Sequence, residues 1–161
     1  MKHLSRLFTK TVSGQSIIEV LIATVVIALV MTSIVGAMTL SIQSTAESRA
    51  RTLAIRLAQE GLELFRRERA ILGWQRFYDE SLNGQASRVY CLNTIPTNSA
   101  GFSAMSAGDC GAATIDDSPM QREATVVRQN TETISVEVTV TWQDGNQQDS
   151  TTVEQIFREE F

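Results

Sequence analysis

Lysine runs out early in this chain. Lys10 is the last one, so every basic side chain beyond it is an arginine. That excludes Schiff-base and phosphate-loop chemistry from the rest of the sequence, because both need a lysine. Histidine is scarcer still, with His3 the only one, which argues against a His/Cys metal centre and against a histidine-based triad. Two cysteines, Cys91 and Cys110, and two prolines, Pro96 and Pro119, fall in one stretch of the chain. No Walker glycine loop and no GxSxG elbow is present. Asp144, Asn146 and Asp149 lack the glutamate and spacing of a calcium loop and read as a hairpin turn. Asp116 and Asp117 read as exposed loop. Neither catalysis nor a cofactor is expected.

What the sequence has is one long apolar run. From Val20 to Met38 no residue is charged over 19 positions, and Ile17, Ile18, Leu40 and Ile42 extend the segment at both ends. As a helix it spans a hydrocarbon core of roughly 30 Å. No proline interrupts it, and Thr24, Thr32 and Ser33 are able to bond back to the helix's own carbonyls. Lys2, Arg6 and Lys10 precede the run, which places the N-terminus in the cytoplasm and the body of the chain outside. A secretory signal would have an apolar core of about 7–15 residues followed by a small-residue cleavage site. Here the run is longer, and the small pair Ser13-Gly14 comes before it. The alternative of a plain, uncleaved membrane anchor stands beside these observations.

Glu19 sits one residue inside the apolar segment. An unpaired carboxylate in a membrane helix costs roughly 2.5–3.5 kcal/mol on insertion scales at mid-helix, so a partner is needed. If the chain is cut after Gly14, the new amine on Gln15 lies one helical turn before Glu19. In a helical assembly the amine of one copy pairs with Glu19 of the next, neutralising both and fixing the axial register. Without residues 1–14 the chain keeps 11 basic against 18 acidic residues, a net charge of −7. Nucleic acid is therefore not an expected partner.

The leader, Gly14, Ser16, Ile17, Ile18, Glu19 and the apolar helix, in that order, resemble the cleavage and methylation signal of the type IV pilin superfamily, which includes the type II secretion pseudopilins. The sequence IIEVLIA and the helix after it are most similar to minor pilins of the PilV-like type. The resemblance is confined to residues 10–42 and, more loosely, to about Gly73. It implies cleavage between Gly14 and Gln15 by a prepilin peptidase, N-methylation of the new amine, and a role for Glu19 in methylation and assembly. The family's usual first mature residue is phenylalanine; here it is Gln15. The helix-kinking proline common in major pilins is also absent, and Gly36 is the one position where the membrane helix is expected to loosen.

Residues 43–73 continue as an amphipathic helix. Ala46, Ala50, Leu53, Leu57, Leu64 and Ile71 recur at helical spacings, widened by Ala54, Ala58 and Phe65. Glu47/Arg51 and Glu63/Arg67 are i,i+4 pairs worth roughly 0.2–0.5 kcal/mol each. Arg66, Arg67 and Arg69 read as a solvated face, or else as charges that complement a neighbouring subunit. Gly61 costs the helix up to about 1 kcal/mol relative to alanine and suggests a close approach. Gly73 is expected to stop the helix. A helix over 15–72 would be about 87 Å long at 1.5 Å per residue.

Residues 74–161 form the head. Residues 74–86 read as loop with a helical turn, 88–92 as a short strand, and 93–119 as a long irregular loop. Cys91 and Cys110 bracket most of it. Outside the membrane a disulfide between them would stabilise by roughly 3 kcal/mol; two free thiols are the alternative. Strands are expected over 123–128 and 134–142, the latter alternating cleanly, then a turn at Asp144-Gly145-Asn146 and a return strand over 150–157. The fold class is α+β: a long N-terminal helix, half membrane and half amphipathic, packed on a small antiparallel sheet.

These readings imply a structural subunit, a minor pilin or pseudopilin of a type IV pilus or type II secretion-like filament, held in the inner membrane before assembly. Its implied partners are other pilin subunits, the prepilin peptidase and methyltransferase, an inner-membrane assembly platform and the lipid bilayer. The alternatives are a pilin-like tip adhesin or DNA-uptake subunit, and a plain membrane-anchored extracytoplasmic protein. Arg76, Arg88, Arg122 and Arg128 are scattered rather than grouped into a basic aromatic patch.

Overall fold

A computed structural model describes residues 15–97, 101–116 and 118–159. It divides into a unit that ends at Ala46 and a second unit, Glu47–Phe161. One helix, α1 (Gln15–Leu82, 68 residues), supplies all of the first unit's described structure and the start of the second. Gly73 interrupts α1 with φ 72° but does not end it. That backbone conformation is open to glycine at no steric cost. Helix resumes at once because Phe77 and Leu82, both buried, give the next turns an apolar face. Residues 74–82 are thus helical rather than loop, and the turn after Leu82 carries Asn83 at φ 47°.

Five strands follow: β1 (Ser87–Cys91), β2 (Ser106–Ala107), β3 (Met120–Asn130), β4 (Thr133–Asp144) and β5 (Gln147–Arg158). A 3-10 turn at Phe102–Ala104 precedes β2. The sheet order is β2-β1-β3-β4-β5, antiparallel throughout. The β4–β5 hairpin closes through the two-residue loop Gly145-Asn146, with positive φ at Gly145, as a tight hairpin turn needs at its first loop position.

The sheet's inner face packs on α1 residues of the same unit. Ile134, Val136, Val138, Val140 and Trp142 are buried, as their alternation predicts, together with Met120, Ala124 and Val126 from β3. From α1 come Ala54, Ala58, Leu62, Leu64 and Phe65. Two members of the expected stripe fall outside it: Leu53 is 44% exposed and Ile71 55%. They lie toward the face of the helix opposite the sheet. Phe65, Phe77, Tyr90, Phe102 and Phe157 form a connected aromatic cluster with ring centroids 5.3–6.3 Å apart.

Candidate assembly site

α1 begins at Gln15, and Gly14 lies outside the described residues. Glu19 is exposed in the second turn, and among the described residues it has no ion-pair partner. Around and beyond it the large apolar side chains from Ile17 to Ile42 are all at least 45% exposed. An apolar surface that size requires lipid or protein to cover it. The hydroxyls within the run are satisfied internally, Thr24 by Leu21 O, Thr32 by Ala28 O and Leu29 O, and Ser33 by Leu29 O, at 2.8–3.0 Å. α1 passes Gly36 with helical backbone. By length and composition this segment is a candidate single membrane span.

The second unit locks its part of α1 to the sheet at two points. At Gly61 a Cβ would lie 2.9 Å from Val138 Cγ1 and 3.3 Å from Arg122 Cδ, so the absence of a side chain lets the sheet close onto the helix. Beside it Arg122, 2% exposed, runs under the helix. Its Nε donates to Leu92 O at 2.9 Å, and one terminal nitrogen donates to Leu57 O at 2.9 Å and to Glu60 Oε2 at 2.8 Å. Arg122 is thus a structural clamp between strand, loop and helix, a role that a reading of it as a scattered surface arginine misses. The signal was available: Met120, Arg122, Ala124 and Val126 alternate inward, and a strand started at residue 120 instead of 123 puts Arg122 on the buried face.

The arginine cluster near the kink is not a simple solvated face. Arg67 donates to Pro96 O at 2.9 Å and meets the buried Glu68 at 3.4 Å. Arg66 donates to Gln155 Oε1 at 2.6 Å and pairs with Glu63, so Glu63 has Arg66 as its partner and not Arg67. Arg69 donates to Arg158 O at 2.5 Å and sits over Trp74. Together these bonds fasten α1 to the 93–97 loop and to β5. Arg76, Arg88 and Arg128 are likewise engaged locally. Arg76 pairs with Glu80, Arg88 stacks on Tyr90, and Arg128 stacks on Tyr78 and donates to Gln85 O.

Cys91 and Cys110 form a disulfide across a separation of 19 residues. It joins the end of β1 to the irregular segment, where Cys110 N also donates to Glu123 Oε1 at 2.7 Å. Tyr90, next to it, is buried and donates to Ser81 O at 2.6 Å. Burial pushes its hydroxyl up to about 12, against the opposing pull of the Arg88 guanidinium. Asp144 and Asn146 are exposed at the hairpin, with Asp149 opposite Trp142.

The structure therefore places Gln15 and Glu19 in the first turns of an uncovered apolar helix, and the unit from Glu47 onward has a packed core of its own. Comparison with protein-family models, with curated proteins and with solved structures found no match.

Proposed function

We propose that the chain is a structural subunit, a minor pilin or pseudopilin, of a type IV pilus or type II secretion-like filament. The observation that carries this reading is Glu19, a lone carboxylate at the start of an exposed, membrane-length apolar helix, preceded by a basic leader that ends in Gly14. A permanent monomer in lipid gains nothing from that charge. A subunit cleaved after Gly14 gains a partner for it, because the freed Gln15 amine of one copy neutralises Glu19 of the next.

The leader stays in the cytoplasm, the peptidase cuts there, and methylation modifies the Gln15 amine. An inner-membrane platform then passes the helix from lipid into the filament core, where it meets other pilin helices. Both environments are apolar, so packing and charge pairing select the partner rather than water exclusion. The head travels outside the membrane, where a Cys91–Cys110 disulfide is at home.

Co-expression of the full chain with a prepilin peptidase, followed by intact-mass analysis, tests the reading. Wild type should lose residues 1–14, and Gly14→Ala should not. Unprocessed wild type, or equal processing of Gly14→Ala, would refute it. Glu19→Ala should be cleaved yet fail to enter filaments, and normal incorporation would refute the register role.

A further inference from the structure

The outward face of the sheet carries a charge arrangement that the subunit leaves unrelieved. Glu137 on β4 and Glu154 on β5 are direct cross-strand partners, and both are exposed. Among the described residues neither has an ion-pair partner. Like charges placed directly opposite one another destabilise a sheet. Beside them Ile156, on the same outward face and opposite Ser135, is 52% exposed.

A complementary surface lies on α1. Arg49, Leu53 and Arg56 follow i, i+4, i+7 spacing, on the side of the helix away from Ala54, Ala58 and Gly61, which meet the sheet. Both arginines are exposed, and neither is in an ion pair among the described residues. With Ser48, Thr52 and Leu53 they line a shallow groove of about 270 Å³. The two patches belong to the same unit and point in opposite directions, one outward from the helix and one outward from the sheet. One copy therefore cannot pair its own two patches, but two copies can pair head to tail.

We infer that the Arg49–Leu53–Arg56 face of one copy docks on the Glu137–Glu154–Ile156 face of a second copy. The contact is heterologous, with different patches on the two partners, so it propagates instead of closing into a two-fold dimer. Each arginine meets a carboxylate whose like-charged neighbour it relieves, and Leu53 and Ile156 supply the apolar centre. This inference rests on the filament-subunit reading and adds to it a heterologous contact between the folded units of two copies, independent of Glu19.

The test uses two full-length variants labelled with fluorescent donor and acceptor at the C-terminus and reconstituted in phosphatidylcholine vesicles, which offer the arginines no anionic lipid. One carries Arg49→Glu with Arg56→Glu, the other Glu137→Arg with Glu154→Arg. Wild type should associate, more weakly at high salt. Each variant alone should associate about tenfold or more weakly. Mixed, the two should associate again, since each then presents the charges the other lacks. Glutamine at the same four positions should weaken association without rescue on mixing, and tryptophan fluorescence should report a folded head in every variant. Absence of wild-type association, undiminished association of either variant alone, or no recovery on mixing would overturn the inference. Leader removal by the peptidase is scored on the same proteins. Absent wild-type association with normal processing overturns this contact alone, whereas wild-type association without processing overturns the filament reading alone.

Discussion

Replacing Arg122 by methionine isolates the clamp at the centre of the head. Methionine keeps much of the aliphatic stem and removes the guanidinium. Three hydrogen bonds disappear, to Leu92 O, Leu57 O and Glu60 Oε2. A hydrogen bond from a charged donor contributes roughly 1.5–3 kcal/mol, and an acceptor left buried without a donor costs about 1–3 kcal/mol. Against this, the substitution removes the cost of burying a guanidinium. Glu60 adds little to the penalty, because its side chain is 58% exposed and returns to water. The expected net loss is about 2–4 kcal/mol, or about 8–16 °C in Tm for a unit of this size. Glu60→Gln keeps an acceptor and removes only a largely screened charge, so it should cost about 1 kcal/mol or less. Thermal unfolding of the full chain in detergent, followed by tryptophan fluorescence, reads the head alone, because Trp74 and Trp142 both lie in the Glu47–Phe161 unit. If Glu60→Gln destabilised as much as Arg122→Met, the ion pair would be the main term and the carbonyl-capture argument would be wrong. An Arg122→Met protein as stable as wild type would refute it outright.

Gly61→Ala should destabilise by about 1 kcal/mol, since overpacking at Val138 outweighs the helix-propensity gain; in a double-mutant cycle Val138→Ala should recover part of that loss, as measured by denaturant unfolding. Reducing the Cys91–Cys110 disulfide, or replacing both cysteines by serine, should cost about 3 kcal/mol in the same measurement. Tyr90 sets an alkaline limit. Burial holds its folded pKa at about 12, above the ordinary tyrosine value of 10.0, so its contribution is full below pH 10 and is lost as pH rises through 12. The fall should approach about 3 kcal/mol, and Tyr90→Phe should flatten the pH profile in that window while losing the bond to Ser81 O. The absence of lysine after Lys10 keeps that window free of lysine titration in the head.

Much of the fold is legible because period and polarity agree. The run Ile134 to Trp142 alternates without exception, and all five of its inward residues are buried. The turn at Gly145 and the two flanking strands follow from the same pattern. Strand ends are less legible: β3 begins at Met120 and β5 at Gln147, three residues earlier than the hydrophobic pattern suggests, because backbone pairing with β4 continues through polar positions. The helix after Gly73 is hidden for a related reason. A glycine with positive φ signals a stop, and only the later aromatic packing of Phe77 makes resumption favourable. In the candidate site Glu19 is readable from chemistry, since a charge in an apolar run stands out. Arg122 is less so, because its burial shows only when the alternation of Ala124 and Val126 is carried back to Met120, and a strand begun at residue 123 leaves it out.

The same parity argument separates the arginines by function. Arg122 lies at an inward position of β3 and serves the subunit's own stability. Arg49 and Arg56 lie on the outward face of α1, where among the described residues no carboxylate of the same copy pairs with them. Between Ile42 and Leu53 the helix has no large apolar side chain. The apolar demand of α1 is therefore met in two separate ways. From Ile17 to that polar interval every large apolar group is exposed and needs an external cover; after it the inward-facing ones enter the head's core. Substitutions that loosen the head, such as Arg122→Met or Gly61→Ala, act only on the second arrangement. They should leave the proposed cleavage after Gly14 intact while lowering Tm, and a head variant that blocked that cleavage would show that the two arrangements are coupled.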